Sequence, residues 1–373
     1  MQQKLNRELE QYARLLQEQR LDIVSKTLAH LEKIGDKFPA FIGWVIGTVN
    51  VDGLGRIEFD SPLNTAPHSA FIQLWMIGWQ AKHGHLWLRH IAELDLRGLG
   101  IIEFPNTMKY LTRVKRLRLE GNPVYSLYSG IEWVSIDQNQ IHRFAWICKR
   151  MEQPPEIAVD FSEYLGDESI IWSSLQDLCN VVSIHLRNPA VQEVPSWIRK
   201  VSSLRELQLA GCRIREIPKW IEELVHLQIL NIGDQRHNDK IVLPESMGNL
   251  INLRSLGLSG MGLSSLPDCL SSLVRLKVLY LDTNQLDSLP LWMEKLQELQ
   301  VLWLTGNPLK EFPRVLSLFP QLKQVALHLM ADNTGYSQHN IALELKRCVP
   351  HIKIIRYRMK FWRRQNRLLV EWG

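Results

Sequence analysis

The sequence has little of what secreted and membrane proteins need. It contains five cysteines in 373 residues, an odd number without paired spacing, which argues against a disulfide framework and for a reducing compartment. Its longest nearly apolar run, Phe38 to Gly47, is far too short to span a bilayer. The first residues lack the apolar core of a signal peptide. We therefore expect a cytoplasmic protein.

Motifs that indicate catalysis are also missing. There is no Gly-rich phosphate loop, no Gly-x-Ser-x-Gly elbow and no kinase signature set. His83, His85 and His90 have no cysteine or carboxylate at a matching spacing, so a solvated helix end is favoured over a zinc site. Cys148 precedes two basic residues that could favour a thiolate, but a structural cysteine is the better-supported interpretation. We expect no enzyme activity, no cofactor and no metal.

The positive charge is confined to one end of the chain. The formal net charge is +5, and residues 356–373 hold six basic residues against one acid, which accounts for the whole excess. The rest of the chain lacks the broad positive surface that non-specific nucleic-acid binding needs. The aromatic residues among these cations would suit an anionic membrane or single-stranded nucleic acid. Because the segment directly follows the last predicted strand, we favour a C-terminal cap with Phe361 and Trp362 buried.

What the sequence has in abundance is leucine at a fixed spacing. A repeated unit begins at Leu204, Leu227, Leu253, Leu276 and Leu299, so that successive starts are 23, 26, 23 and 23 residues apart. Positions 4 and 6 of each unit alternate as in a short strand. A Leu-Pro step, or a close variant, follows each strand, and proline can begin a helical turn where no backbone donor is needed. The pattern predicts stacked strand-and-turn units.

This repeat pattern resembles the leucine-rich repeat family in its 23-residue form, similar to the repeats of intracellular Ras-pathway scaffolds and of many bacterial proteins. The resemblance implies an α/β right-handed solenoid, or horseshoe, with a parallel concave sheet over residues 89–355. It also implies a protein partner. Twelve strands are expected, with position 4 at Leu94, Leu117, Val134, Ile157, Ile184, Leu207, Leu230, Leu256, Leu279, Leu302, Val325 and Ile352.

The first 88 residues are expected to form an N-terminal cap over the exposed end of the leucine column. Their apolar spacing predicts amphipathic helices that break near Arg20 to Asp22. Alternating residues around Asp52-Gly53 predict a hairpin. A second helical region is predicted from Ser69 to about His83.

Position 9 is where the family usually places asparagine, whose amide bonds neighbouring turns and forms a ladder. Asn122, Asn139, Asn284 and Asn307 fit this pattern, and Cys212 is a familiar substitute. We therefore expect a ladder with interruptions.

The candidate binding site comes from positions 3, 5 and 7, which form the concave face in this fold. In the first two repeats these positions carry opposite charges on adjacent strands, so the patch is expected to neutralise itself. Farther along they carry apolar and aromatic side chains that the core does not need, and tryptophan and tyrosine are enriched at binding hot spots. The predicted partner-binding residues are Ile229, Asn231, Val278, Tyr280, Asp282, Val301, Trp303 and Thr305.

We interpret the chain as a non-enzymatic scaffold that binds a protein on the C-terminal half of its concave face. A bacterial effector that uses the same face is one alternative. A membrane or nucleic-acid adaptor that acts through the basic C-terminal segment is another. Trp303 could also simply pack against the C-terminal unit.

Overall fold

In the computed structural model the chain forms two compact units, residues 1–184 and 185–373. No helix in the described part of the chain is long and apolar enough to cross a membrane. The predicted boundaries at residues 88 and 355 stay predictions. The described residues are 11–12, 14–35, 48–51, 57–60, 66, 68–83, 91–162, 175, 178, 180–233, 241–310, 314–328, 343, 347 and 353–357.

Both units are built from short strands that pair in parallel with the strand of the next repeat, which confirms the predicted α/β solenoid. The first unit contains β3 (Glu93–Asp95), β4 (Arg116–Arg118), β5 (Trp133–Asp137), β6 (Glu156–Asp160) and most of β7 (Val181–His185). The second contains β8 (Glu206–Gln208), β9 (Ile229–Asn231), β10 (Ser255–Gly257), β11 (Val278–Tyr280), β12 (Val301–Trp303), β13 (Gln324–His328) and β14 (Lys353–Tyr357).

The leucines of positions 4 and 6 form a buried column behind the strands. Leu256 lies in register between Leu230 and Leu279, and all three are almost fully buried. After β3 and after β7 to β11, the proline of the Leu-Pro step or its close variant precedes a 3-10 turn, as Pro267 does before Asp268–Ser272. A repeat therefore buries apolar side chains only when its neighbours are in place.

The polar ladder is present at most of the predicted positions. Asn284 donates from Nδ2 to the carbonyl oxygens of Leu258 and Leu281 at 2.9 Å each, and its Oδ1 accepts from two amides of the preceding repeat. Asn122 and Asn307 bond in the same way. Cys212 takes the same place, with its thiol 2.8 Å from the carbonyl oxygen of Leu186.

The prediction for Asn139 is wrong. Asn139 is exposed, and its backbone N–H donates to the Asp137 carboxylate, which caps the turn that follows β5. Gln140 is buried instead and donates to the carbonyl oxygens of Leu119 and Asn122. Because β5 runs directly into a capped turn and then into the helix that follows it, the inward position moves by one residue. The longer glutamine side chain can still reach the ladder.

The N-terminal elements agree with their predictions in type and place. Helix α1 (Leu21–Gly35) begins where the break was expected. The hairpin consists of β1 (Thr48–Val51) and β2 (Ile57–Asp60), and its predicted Asp52-Gly53 turn lies outside the described residues. Helix α2 covers Ser69–Lys82. The helix after β5, α3, covers Ile141–Cys148.

Helix α2 packs closely on the first repeat. The Thr107 hydroxyl donates to the Trp75 carbonyl oxygen at 3.0 Å. A Cβ at Gly78 would lie 2.5 Å from the Thr107 carbonyl oxygen, so only glycine permits this approach. Lys82 forms a 3.1 Å ion pair with Glu32 of α1. The role of these elements as an N-terminal cap stays a prediction.

At the C-terminal end the predicted phase is wrong by two residues. Ile354, not Ile352, is the register partner of Val325. The two isoleucines belong to the same alternation, and a period of two cannot distinguish registers that differ by two residues. Phe361 and Trp362 lie outside the described residues, so their burial stays a prediction.

We expect the Leu256→Ala change to lower the free energy of unfolding by about 2–5 kcal/mol, because it leaves a cavity in the leucine column. Urea denaturation followed by circular dichroism measures this quantity. Val274→Ala is the control, since Val274 is 48% exposed. It should change stability by less than about 0.5 kcal/mol. Equal effects of the two changes would contradict the repeat phase.

Cys212 should make the protein less stable at alkaline pH. Burial raises the pKa of its thiol to about 11 from 9.0. Between these values the unfolded chain loses the thiol proton while the folded chain keeps it, so the free energy of unfolding falls as pH rises. Below pH 9 the contribution is fully present. Urea titrations at pH 8 and pH 10 measure the fall.

Cys212→Asn is the control for this effect, because asparagine keeps a ladder donor and does not titrate. The wild-type protein should lose about 1–2 kcal/mol more than this variant between the two pH values. Equal losses would show that the thiol is not protected by burial.

Candidate functional site

The predicted site residues lie on neighbouring strands of the second unit. Val278 and Val301 are register partners, as are Tyr280 and Trp303. Strand β10 separates them from β9, where Ile229 and Asn231 stand at the same two positions. We call the surface of the predicted residues the aromatic face. All of its members are half-buried: Ile229, Asn231, Val278, Tyr280, Asp282, Val301, Trp303 and Thr305.

Tyr280 and Trp303 form the largest feature of the aromatic face. Their ring centroids are 5.5 Å apart and the ring planes meet at 68°, an edge-to-face arrangement that aromatic quadrupoles favour. Gly257 and Ala326, their register partners on the flanking strands, carry no large side chain. The two rings therefore have no large side chain beside them at the same register position of β10 or β13.

The Tyr280 hydroxyl stays protonated at neutral pH. Partial burial, and to a smaller extent the Asp282 carboxylate, raises the pKa of its phenol. The Asp282 carboxylate accepts a 2.7 Å hydrogen bond from the Ser259 hydroxyl, and the Thr305 carbonyl accepts one from the Thr283 amide at 2.6 Å. The carboxyl ends of β10–β12 are thus polar and ordered by local hydrogen bonds.

Asn231 is held in a different way from the other predicted residues. Its Oδ1 accepts from the Gly233 amide at 3.1 Å, and the same oxygen occupies the space that a side chain at Gly257 would need. Gly257 therefore belongs to the site, although it contributes no side chain. Sequence reasoning missed it, and the signal was a glycine at position 5 of a strand, where close approach by another group is a usual cause.

The charged patch of the first unit neutralises itself as predicted: Glu93 and Asp95 face Arg116 and Arg118 across the register of β3 and β4. The Glu93 carboxylate accepts from Arg116 Nε at 2.9 Å and from Arg118 Nε at 2.5 Å. Asp95 also forms a 2.6 Å ion pair with Arg97, two residues farther along the chain. The two arginines together lower the pKa of Glu93 against the opposing effect of burial. These groups are already satisfied by one another.

The other candidates give no site. Cys148 is 3% exposed, as expected of a structural cysteine. His85 and His90 lie outside the described residues. Within the described part of the chain, no three histidine, cysteine or carboxylate side chains are placed to hold a metal.

A further set of residues was not singled out from the sequence. Position 2 of the repeats carries a cation in four of six consecutive units, and these residues border the aromatic face at the amino ends of the strands. The fixed period makes this pattern visible in the sequence, although position 2 is not one of the concave-face positions 3, 5 and 7. The six residues are Arg205, Gln228, Arg254, Lys277, Gln300 and Lys323.

The comparison with family models agrees with this geometry. Residues 203–224, which contain β8 and the whole 3-10 turn after it, match the model described as Leucine Rich Repeat. This segment is a leucine-rich repeat. Such repeats generally serve as protein interaction modules. No curated protein matches the sequence significantly.

Solved leucine-rich repeat structures are similar over much of the chain at low identity. A leucine-rich repeat protein of Leptospira interrogans is 17% identical, with 74% of this chain and 97% of that chain covered and a TM-score of 0.35. Internalin C2 of Listeria monocytogenes is 20% identical, with 64% and 82% covered and a TM-score of 0.37. The plant peptide hormone receptor RGFR1, solved in complex with RGF2, is 23% identical, with 65% and 36% covered and a TM-score of 0.38.

Gly257→Ala should destabilise the leucine-rich repeats at this point by about 1–3 kcal/mol, because the new methyl group displaces the Asn231 amide from its acceptor position. Ser255→Ala, on the same strand, is the control and should have little effect. Urea denaturation measures both. The double variant Gly257→Ala with Asn231→Ala should recover part of the loss, and no recovery would contradict the proposed contact.

Proposed function

We propose that the chain is a non-enzymatic, cytoplasmic scaffold that binds a protein partner through the aromatic face. One observation carries the proposal: the Tyr280–Trp303 pair stands half-exposed on the side of the sheet away from the leucine column. Large aromatic side chains in such positions supply much of the binding energy of protein interfaces. The core does not require them, since the preceding residue on each strand, Leu279 or Leu302, already fills the column.

The surroundings of the pair support a protein partner. Val278 and Val301 add an aliphatic strip directly beside the rings, and Asp282 and Thr305 provide polar atoms at the other end of the same strands. An apolar centre with a polar rim is the usual anatomy of a protein interface. The repeats of the first unit offer arginines and carboxylates that are paired with one another, so the second unit is the better candidate.

Trp303→Ala and Tyr280→Ala should each weaken partner binding by about 2 kcal/mol, or roughly 30-fold in Kd, while the fold is retained. Affinity purification with the intact chain as bait identifies the partner, and titration of the purified partner then measures the Kd for each variant. Circular dichroism checks the fold.

Trp146→Ala is the matched control, because Trp146 is 50% exposed and lies in the first unit. It should bind the partner as the unchanged protein does. If the Trp146 change weakens binding and the Trp303 and Tyr280 changes do not, the binding surface lies in the first unit and the proposal is wrong.

A further inference from the structure

A row of cations borders the aromatic face. Backbone hydrogen bonds join position 2 of each repeat to position 2 of the next: Gln228 to Arg205, Arg254 to Gln228, Lys277 to Arg254, Gln300 to Lys277 and Lys323 to Gln300, all between 2.7 and 2.8 Å. The side chains of this row therefore begin about one strand spacing, or ~4.8 Å, apart. We call Arg205, Arg254, Lys277 and Lys323 the cation row.

The cation row is only partly neutralised. Lys277 Nζ lies 3.7 Å from the Glu298 carboxylate, and both side chains are about half-exposed. Lys323 Nζ donates to the neutral amide of Gln300 at 3.3 Å. Arg254 is exposed, and none of the described carboxylates lies within ion-pair distance of it. Exposed pairs such as Lys277 with Glu298 contribute little and can exchange partners.

The aromatic face and the cation row together form a surface with two chemically different edges. Arg254 and Lys277 stand at the amino ends of strands whose middle carries Val278 and Tyr280. The carboxyl ends of β10 and β11 carry the Ser259–Asp282 hydrogen bond. A partner that lies across these strands meets cations on one side, apolar side chains in the centre and a carboxylate on the other side.

We propose that the partner of the aromatic face is an acidic protein segment. Its apolar or aromatic side chains would contact Tyr280, Trp303 and the adjacent valines. Aspartate or glutamate side chains along one flank would pair with Arg254, Lys277 and Lys323. This inference rests on the proposed function and names the chemistry of the partner. Complementary charge at the rim of an interface sets orientation and association rate more than final affinity.

The surface fits a polypeptide better than a nucleic acid. Glu206 and Glu298 stand among the cations and would repel a continuous line of phosphates. The two rings lie edge to face rather than as parallel platforms for bases. The basic segment 356–373 of the chain itself is excluded as the occupant, since its six cations would meet the cation row.

Selection from a displayed library of random 12-residue peptides, on the intact chain with counter-selection against Trp303→Ala, tests the inference. The enriched peptides should combine apolar or aromatic residues with several carboxylates. A synthetic enriched peptide, followed by fluorescence anisotropy, should bind about tenfold or more weakly to the Arg254→Glu, Lys323→Glu double variant. Its affinity for the unchanged protein should decrease as the NaCl concentration is raised from 50 to 500 mM.

The Lys219→Glu, Lys295→Glu double variant is the matched control. It changes the net charge equally, and both lysines are exposed in 3-10 turns away from the strands. It should bind the peptide as the unchanged protein does.

Three results would overturn the inference in distinguishable ways. Enriched neutral or basic peptides that need Trp303 but ignore the cation row would leave the proposed function standing and remove the acidic partner. A dT20 oligonucleotide that binds through Arg254 and Lys323, with no acidic peptide enriched, would assign the row to nucleic acid. If the selection enriches no peptide that depends on Trp303, the proposed function is removed as well.

Discussion

The structure depends on backbone hydrogen bonds between each strand and the strand of the next repeat. Most of these strands contain only three residues, and a strand of that length is not stable alone. The parallel register fixes which side chains stand next to each other along the sheet, so Val278 must lie beside Val301 and Tyr280 beside Trp303. A binding surface on this fold is therefore a set of rows that can be read directly from the repeat.

That regularity explains why so much was predictable. The residues that must be buried, such as Leu256 and Leu279, follow from the period alone, because the period fixes both the strand and its inward face. The rows of the aromatic face follow in the same way. The cation row could have been predicted too, since it needs nothing more than position 2 read along successive units.

Some details of the structure depend on local chemistry that a period does not contain. Gln140 replaces Asn139 because a capped turn begins at Asp137 and shifts the inward residue. Asp95 pairs with Arg97, two residues farther along the chain, because that guanidinium presents two well-placed donors. Side-chain choices between nearby partners differ by little free energy, so they follow from geometry rather than from residue type.

The contact between Asn231 and Gly257 has a consequence for how this surface can change over time. The two residues are 26 positions apart in the sequence, yet the amide of one occupies the place of the other's missing side chain. A larger residue at 257 is tolerable only after residue 231 has become smaller or has turned away. Substitutions at these positions should therefore be accepted in pairs. The order in which the two residues change then determines whether a new binding specificity can evolve here.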